Sequence, residues 1–199
     1  MLPTHMSTPS AAKANNAIGA FFLSVFGAVW LALWCLNTPG MGSGALFIIV
    51  VVSVALLALA VRLYRGNGAA YVTYQKSADG KRSSIVLGVV NALQWVFIFL
   101  LAAVLPKANA HWFIPGVIFI VGVHFVPLAL ALRYRPYLYA AAALLLLAAS
   151  GPWLSSVSPA SPLGALGAGV ILWLTALYQL VVTPLPPQSG TLATVQVVP

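Results

Sequence analysis

Acid is almost absent from this chain. Of its 199 residues only Asp79 carries a carboxylate side chain, and charged residues of both signs make up 5%. Soluble domains carry about 25%. Hydrophobic residues reach 62%, and the mean hydropathy is +1.03. A fold of this size has too little interior to hide that much apolar surface, so lipid must solvate most of it. The missing acids also exclude chemistry. Two-metal hydrolases and intramembrane aspartyl proteases need paired carboxylates, and proton- or cation-coupled transporters usually rely on membrane-embedded ones. Cysteine is as scarce: Cys35 stands alone, which excludes an internal disulfide and gives no metal framework. There is no G-x-S-x-G elbow, no H-E-x-x-H pair and no glycine-rich phosphate loop. His111 and His124 stand too far apart on one helix for a shared metal, and His5 lies in the N-terminal tail. Ser150, before Gly151-Pro152, lacks the flanking motif of a rhomboid-like serine. No catalytic residue, metal or cofactor is expected.

What the chain has is six long apolar stretches, at residues 17–36, 42–64, 85–105, 112–132, 137–155 and 163–183. Each is close to the roughly 20 residues a spanning helix needs. The breaks between them carry proline, glycine and asparagine, the usual helix punctuation. The first stretch reads as a retained span. It is longer than a secretory core of about 7–15 residues, and the bulky Trp34 sits before Cys35 where a lipoprotein would have a small residue. The expected fold is an all-α membrane protein, a six-transmembrane-helix bundle.

The net charge of +8 would suggest nucleic acid in a soluble protein. Its distribution here argues for topology instead. Lys13, Arg62, Arg65, Lys76, Lys81, Arg82, Arg133 and Arg135 all fall on one side of the six stretches, and Lys107 alone on the other. By the positive-inside rule both termini are expected to be cytoplasmic. Trp30, Trp34, Trp112 and Trp153 fall toward the external ends, and Tyr64, Tyr134, Tyr137, Tyr139 and Tyr178 toward the cytoplasmic ends, as interfacial anchors do. The expected partners are the bilayer and, at Arg62, Arg65, Lys76, Lys81, Arg82, Arg133 and Arg135, anionic lipid headgroups; nucleic acid is not among them. Residues 1–16 read as a polar cytoplasmic tail and 184–199 as a proline-containing one. Residues 65–84 read as a basic cytoplasmic loop, with a β-prone run at Tyr71-Val72-Thr73-Tyr74.

Small residues recur at four-residue spacing: Ala20, Ser24, Ala28 and Ala32 in the first stretch, Gly88 and Ala92 in the third, Ala165 and Gly169 in the sixth. Such stripes let helices approach closely in lipid, within one chain or in a homo-oligomer; the sequence leaves both open. A three-plus-three inverted repeat, as in many transporters, finds little support beyond Trp95 and Trp173, each eleven residues before a proline.

The polar residues inside the stretches are the candidate site. His124 is the one ionisable group deep in the apolar sequence. At about 1.5 Å per residue it lies roughly 18 Å from the external end of its stretch, and Gln94 about 14 Å from the cytoplasmic end of its own. Ser53 and Thr175 fall near the middle too, with Asn91 and Gln179 closer to the cytoplasm. Asn91 and Gln94 share a helix face. Pro127 deprives the Val123 carbonyl of its usual donor, and Gly122 adds freedom, so a helix kink is expected at Gly122 and Pro127. A neutral imidazole can donate to the freed carbonyl or to the Gln94 amide. Such a cluster is either a structural joint or a ligand-contacting site.

The run Gly122-Val123-His124-Phe125-Val126-Pro127-Leu128-Ala129, followed by Arg133–Arg135 and Pro136-Tyr137-Leu138-Tyr139, resembles the G-x-H-F-x-P-L-A segment of uncharacterised six-span bacterial integral membrane proteins. The resemblance covers about eighteen residues. It implies a multi-pass protein of a bacterial plasma membrane and no activity. The leading expectation is a protein without enzymatic activity that binds or transports a small neutral or amphipathic molecule at a mid-depth cavity bordered by His124, Gln94 and Asn91. The alternative is a structural or accessory subunit acting through helix–helix or lipid contacts. An intramembrane enzyme would need His124 beside Ser53 or Thr175.

Overall fold

The computed structural model describes residues 9–132, 134–155 and 162–182. Arg133, both terminal segments and the break at 156–161 lie outside the described residues, as do the side chains of Asp79, Lys107 and Trp153. Among the described residues there are six α-helices and no strand: α1 (Pro9–Asn37), α2 (Ser43–Gln75), α3 (Ala78–Val104), α4 (Phe113–Leu132), α5 (Pro136–Ser155) and α6 (Pro162–Val181). A 3₁₀ turn, Lys107–Trp112, leads into α4. Five of the helices are long and apolar enough to cross a membrane; the sixth, α5, offers the shorter apolar stretch Pro136–Gly151. Proline opens α1, α5 and α6, where its fixed φ suits a helix start and its missing N–H costs nothing.

Two expected boundaries are corrected. The N-terminal tail is helical from Pro9, and Ala11, Ala14 and Asn16 are buried. Residues 65–84 form no loop: α2 runs on to Gln75 and α3 begins at Ala78, so the β-prone run at Tyr71 is helical. The physical reason is local. Asn67 donates from Nδ2 to the Leu63 carbonyl (2.8 Å), which keeps the Gly66–Gly68 region in register. Ser77 caps α3 by accepting from the Gly80 amide at 3.1 Å, an N-cap interaction of the usual kind. At Gly80 a Cβ would collide with the Tyr74 carbonyl, so the reversal needs glycine there. The 33 residues of α2 span about 50 Å, against a hydrocarbon core of about 30 Å. α2 and α3 therefore make a basic helical hairpin that carries Arg62, Arg65, Lys76, Lys81 and Arg82.

The helices pack in the order α2, α1, α6, α5, α4, α3, each mainly against its neighbours in that series. The core lies among α1, α4, α5 and α6, around Leu23, Ile118, Phe125, Leu144 and Leu172. The close approach of α1 to α6 is set by Gly27 and Gly169: a Cβ at Gly27 would sit 3.2 Å from the Gly169 carbonyl oxygen, and one at Gly169 3.0 Å from that of Gly27. Trp173 closes the contact by donating from Nε1 to the Ser24 carbonyl (3.2 Å). Ser24 and Gly169, members of the small-residue stripes of the first and sixth stretches, thus serve a contact within the chain. α2 turns one narrow face, Ile49, Ser53, Leu56 and Ala60, toward the bundle. Beyond Gly80 at its start, α3 has no buried residue among those described. Its Gly88 has open space beside it, and Val89, Ala92, Val96 and Phe99 are exposed. In water this outward apolar surface would be costly, whereas a bilayer solvates it.

Candidate functional site

The expected polar cluster divides into two places. The first is the seam between α3 and α4. His124, half-buried, directs Nδ1 at the Val90 carbonyl oxygen, 3.3 Å away. A carbonyl only accepts, so Nδ1 carries the proton and Nε2 keeps its lone pair. Neither acceptor expected for the imidazole, the Val123 carbonyl or the Gln94 amide, is the one it uses. Gln94 is half-buried in the same helix as Val90. Asn91 is exposed and donates to the Leu87 carbonyl of its own helix (2.8 Å). α4 runs unbroken as a helix through Pro127. Gly122 faces α5, where a Cβ would meet Leu145 at 3.1 Å and Leu144 at 3.3 Å; it admits close helix packing.

Ser53 and Thr175 are placed elsewhere. Ser53 is buried and donates to the Ile49 carbonyl (2.6 Å); Thr175 donates to Ile171 (2.7 Å). Each hydroxyl spends its proton on its own helix, four residues back. α2 and α6 are not among the principal neighbours of α4, so neither hydroxyl lies on the His124 seam.

The second place is at the end of the bundle that holds the start of α1, the outer part of α2 and the end of α6. A half-open cavity of about 130 Å³ lies there between these three helices. Its polar lining is Lys13, Asn16, Asn67 and Gln179; Leu63, Leu180 and Val182 supply apolar wall. Gln179 is only 3% exposed and Asn16 only 7%. The Asn16 Nδ2 and both amide atoms of Gln179 are buried without a hydrogen-bond partner among the described residues. Buried amide groups left in this state cost about 1–3 kcal/mol each, and such groups are rare unless water, an ion or a ligand completes them. The Tyr137 hydroxyl lies beside Gln179. Both crowd Gly19, where a Cβ would lie 2.6 Å from the Gln179 Oε1 and 2.6 Å from the Tyr137 hydroxyl.

Next to this end, Tyr134 packs edge-on against Tyr137, with ring centroids 5.2 Å apart. Its hydroxyl is buried and without a partner among the described residues. Burial pushes the Tyr134 hydroxyl well above the ordinary tyrosine range, with smaller contributions from Tyr137 and Tyr178.

Sequence reasoning placed Gln179 in the candidate cluster but left Asn16 and Lys13 in a tail. The signal available was their spacing. Lys13 and Asn16 stand three residues apart, one helical turn, directly before an apolar run. No cluster of three or more histidine, cysteine or acidic residues fit for a metal occurs among the described residues. Set against known protein families, curated proteins and solved structures, the chain matches none.

Proposed function

We propose that this chain is a six-span integral membrane protein of a bacterial plasma membrane, with both termini cytoplasmic. In this reading it has no enzymatic activity and binds a small polar or amphipathic molecule. α5 supplies the sixth span, and the basic end of the bundle faces the cytoplasm. The observation that carries the binding reading is the buried Asn16 Nδ2 and Gln179 amide, without hydrogen-bond partners among the described residues, around one cavity. The ligand's polar end meets those amides and Lys13. His124 acts as a joint that fastens α3 to α4, its free Nε2 and the neighbouring Gln94 offering a minor polar contact at mid-depth.

The test is occupancy. Protein purified gently in detergent should carry a non-covalently bound small molecule, visible by native mass spectrometry. The double variant Asn16→Leu, Gln179→Leu should lose it while folding normally. If the variant keeps the same bound mass, the cavity is not the site. Reporter fusions at residue 1, within 76–77, at 107–111 and at 199 check orientation; a cytoplasmic signal from 107–111 would reverse it.

A second reading is favoured by α3. Among the described residues its Gly88 has open space beside it and Ala92 is exposed, so the protein also fits an accessory subunit that pairs through this helix. Self-association that survives Gly88→Leu would exclude α3 as the contact.

A further inference from the structure

Resting on the cavity as a binding site, we infer that it holds the phosphate of an anionic glycerol-phosphate-type ligand, either a lipid headgroup or a free phosphate ester. Charge is the first argument. Seven other cationic side chains fall on the same side of the six apolar stretches as Lys13, and the whole chain holds one carboxylate side chain, Asp79. Counter-charge for this end must therefore come from outside the chain. Lys13 stands half-buried in the cavity wall, where a positive charge loses part of its hydration and an anion is the fitting replacement.

The donor and acceptor pattern gives the second argument. Lys13 Nζ and the Asn16 Nδ2 are donors, and neither can accept. Gln179 adds one amide donor and one acceptor, neither with a hydrogen-bond partner among the described residues. Asn67 spends Nδ2 on Leu63 and keeps its amide oxygen. A phosphate uses the donors, and a hydroxyl two or three bonds from it can donate to Gln179 Oε1 or Asn67 Oδ1. A bare inorganic anion would leave those acceptors unmet. The cavity, about 130 Å³, is of the order that accepts a benzene-sized guest, so it takes a headgroup and not acyl chains. Leu63, Leu180 and Val182 at its wall lead toward apolar surface where chains would lie.

The experiment uses the full chain, delipidated in detergent and titrated in native mass spectrometry with three probes: phosphatidylglycerol, phosphatidylcholine of the same chains, and soluble glycerol 3-phosphate. Phosphatidylglycerol or glycerol 3-phosphate should bind at least about tenfold tighter than phosphatidylcholine, the loss expected for one charge-assisted hydrogen bond. Whichever of the two binds more tightly identifies the source. Lys13→Gln and Gln179→Leu should each erase the preference, while Asn37→Ala, at the opposite end of α1 where the side chain donates to the Leu33 carbonyl of its own helix, should leave it intact. If both lipids bind equally and Gln179→Leu abolishes both, the anionic-headgroup assignment is overturned and the binding site stands. If no probe responds to Asn16→Leu or Gln179→Leu in variants that retain their helicity and melting temperature, both fail.

Discussion

The imidazole of His124 donates from Nδ1 to the carbonyl oxygen of Val90 across 3.3 Å, tying α4 to α3. α3 contributes no buried side chain among the described residues and packs principally on α4. The Val90 oxygen also faces its own helical donor, the amide of Gln94, so the imidazole takes its second lone pair. Replacing His124 by Ala should weaken the bundle by about 0.6–2 kcal/mol, the usual size of an interhelical hydrogen bond in lipid. Unfolding in mixed micelles measures it. A cysteine pair introduced at Leu101 and Gly116, which meet across the same seam, should then cross-link less completely. Unchanged stability and cross-linking would remove the joint.

Gly27 and Gly169 predict a paired contrast. Gly27→Ala pushes a methyl into Trp173 and to 3.2 Å from the Gly169 carbonyl, and should cost about 1–3 kcal/mol, as overpacking does. Gly88→Ala meets open space and should be neutral or stabilise by up to about 1 kcal/mol through helix propensity. Equal melting temperatures for the two variants would mean that α1 and α6 do not cross at this pair.

Gly80→Ala should loosen the α2–α3 hairpin, because its methyl would collide with the Tyr74 carbonyl and come within 2.7 Å of the Gln75 Cα. Limited proteolysis at residues 76–82 reads this directly. Faster cleavage in the variant, with the rest of the bundle still protected, is the expected result. An unchanged rate would argue that the reversal is built differently.

Tyr134 gives a pH dependence. Its hydroxyl titrates above the ordinary tyrosine value because burial disfavours the phenolate. The unfolded chain ionises near pH 10, and the folded chain only at higher pH. Between those values the unfolded state has released a proton that the folded state retains, so stability falls as pH rises above about 10. Tyr134→Phe should flatten this alkaline limb. At neutral pH it should cost little or nothing, since the hydroxyl it removes has no partner among the described residues. Melting curves at pH 7–11 make the comparison; an identical alkaline slope would contradict it.

The apolar stretches were legible because a spanning helix needs only length and hydropathy, and proline marks where several begin. Helix beyond the apolar stretches was not. Asn16 and Lys13 read as tail because of their polarity, while α1 extends back to Pro9 and buries Ala11, Ala14 and Asn16. Residues 65–84 read as loop because Gly66, Asn67 and Gly68 usually break helices; here Asn67 bonds back to Leu63 and the helix continues. Gly122 read as a source of freedom, and its neighbour Leu144 made it a packing position.

By itself the sequence determined the solvent and the class of structure. Its six apolar runs, each about twice the length of a spanning strand, satisfy their backbone polar groups in lipid as helices. Which helices are neighbours was decided by tertiary packing alone. Every apolar stretch is apolar on all sides, so periodicity carries no record of partners, and small-residue stripes on α1, α3 and α6 look alike in sequence. Only the meeting of Gly27 with Gly169 selected two of them, and only the convergence of α1, α2 and α6 brought the amides of Asn16 and Gln179 to one cavity.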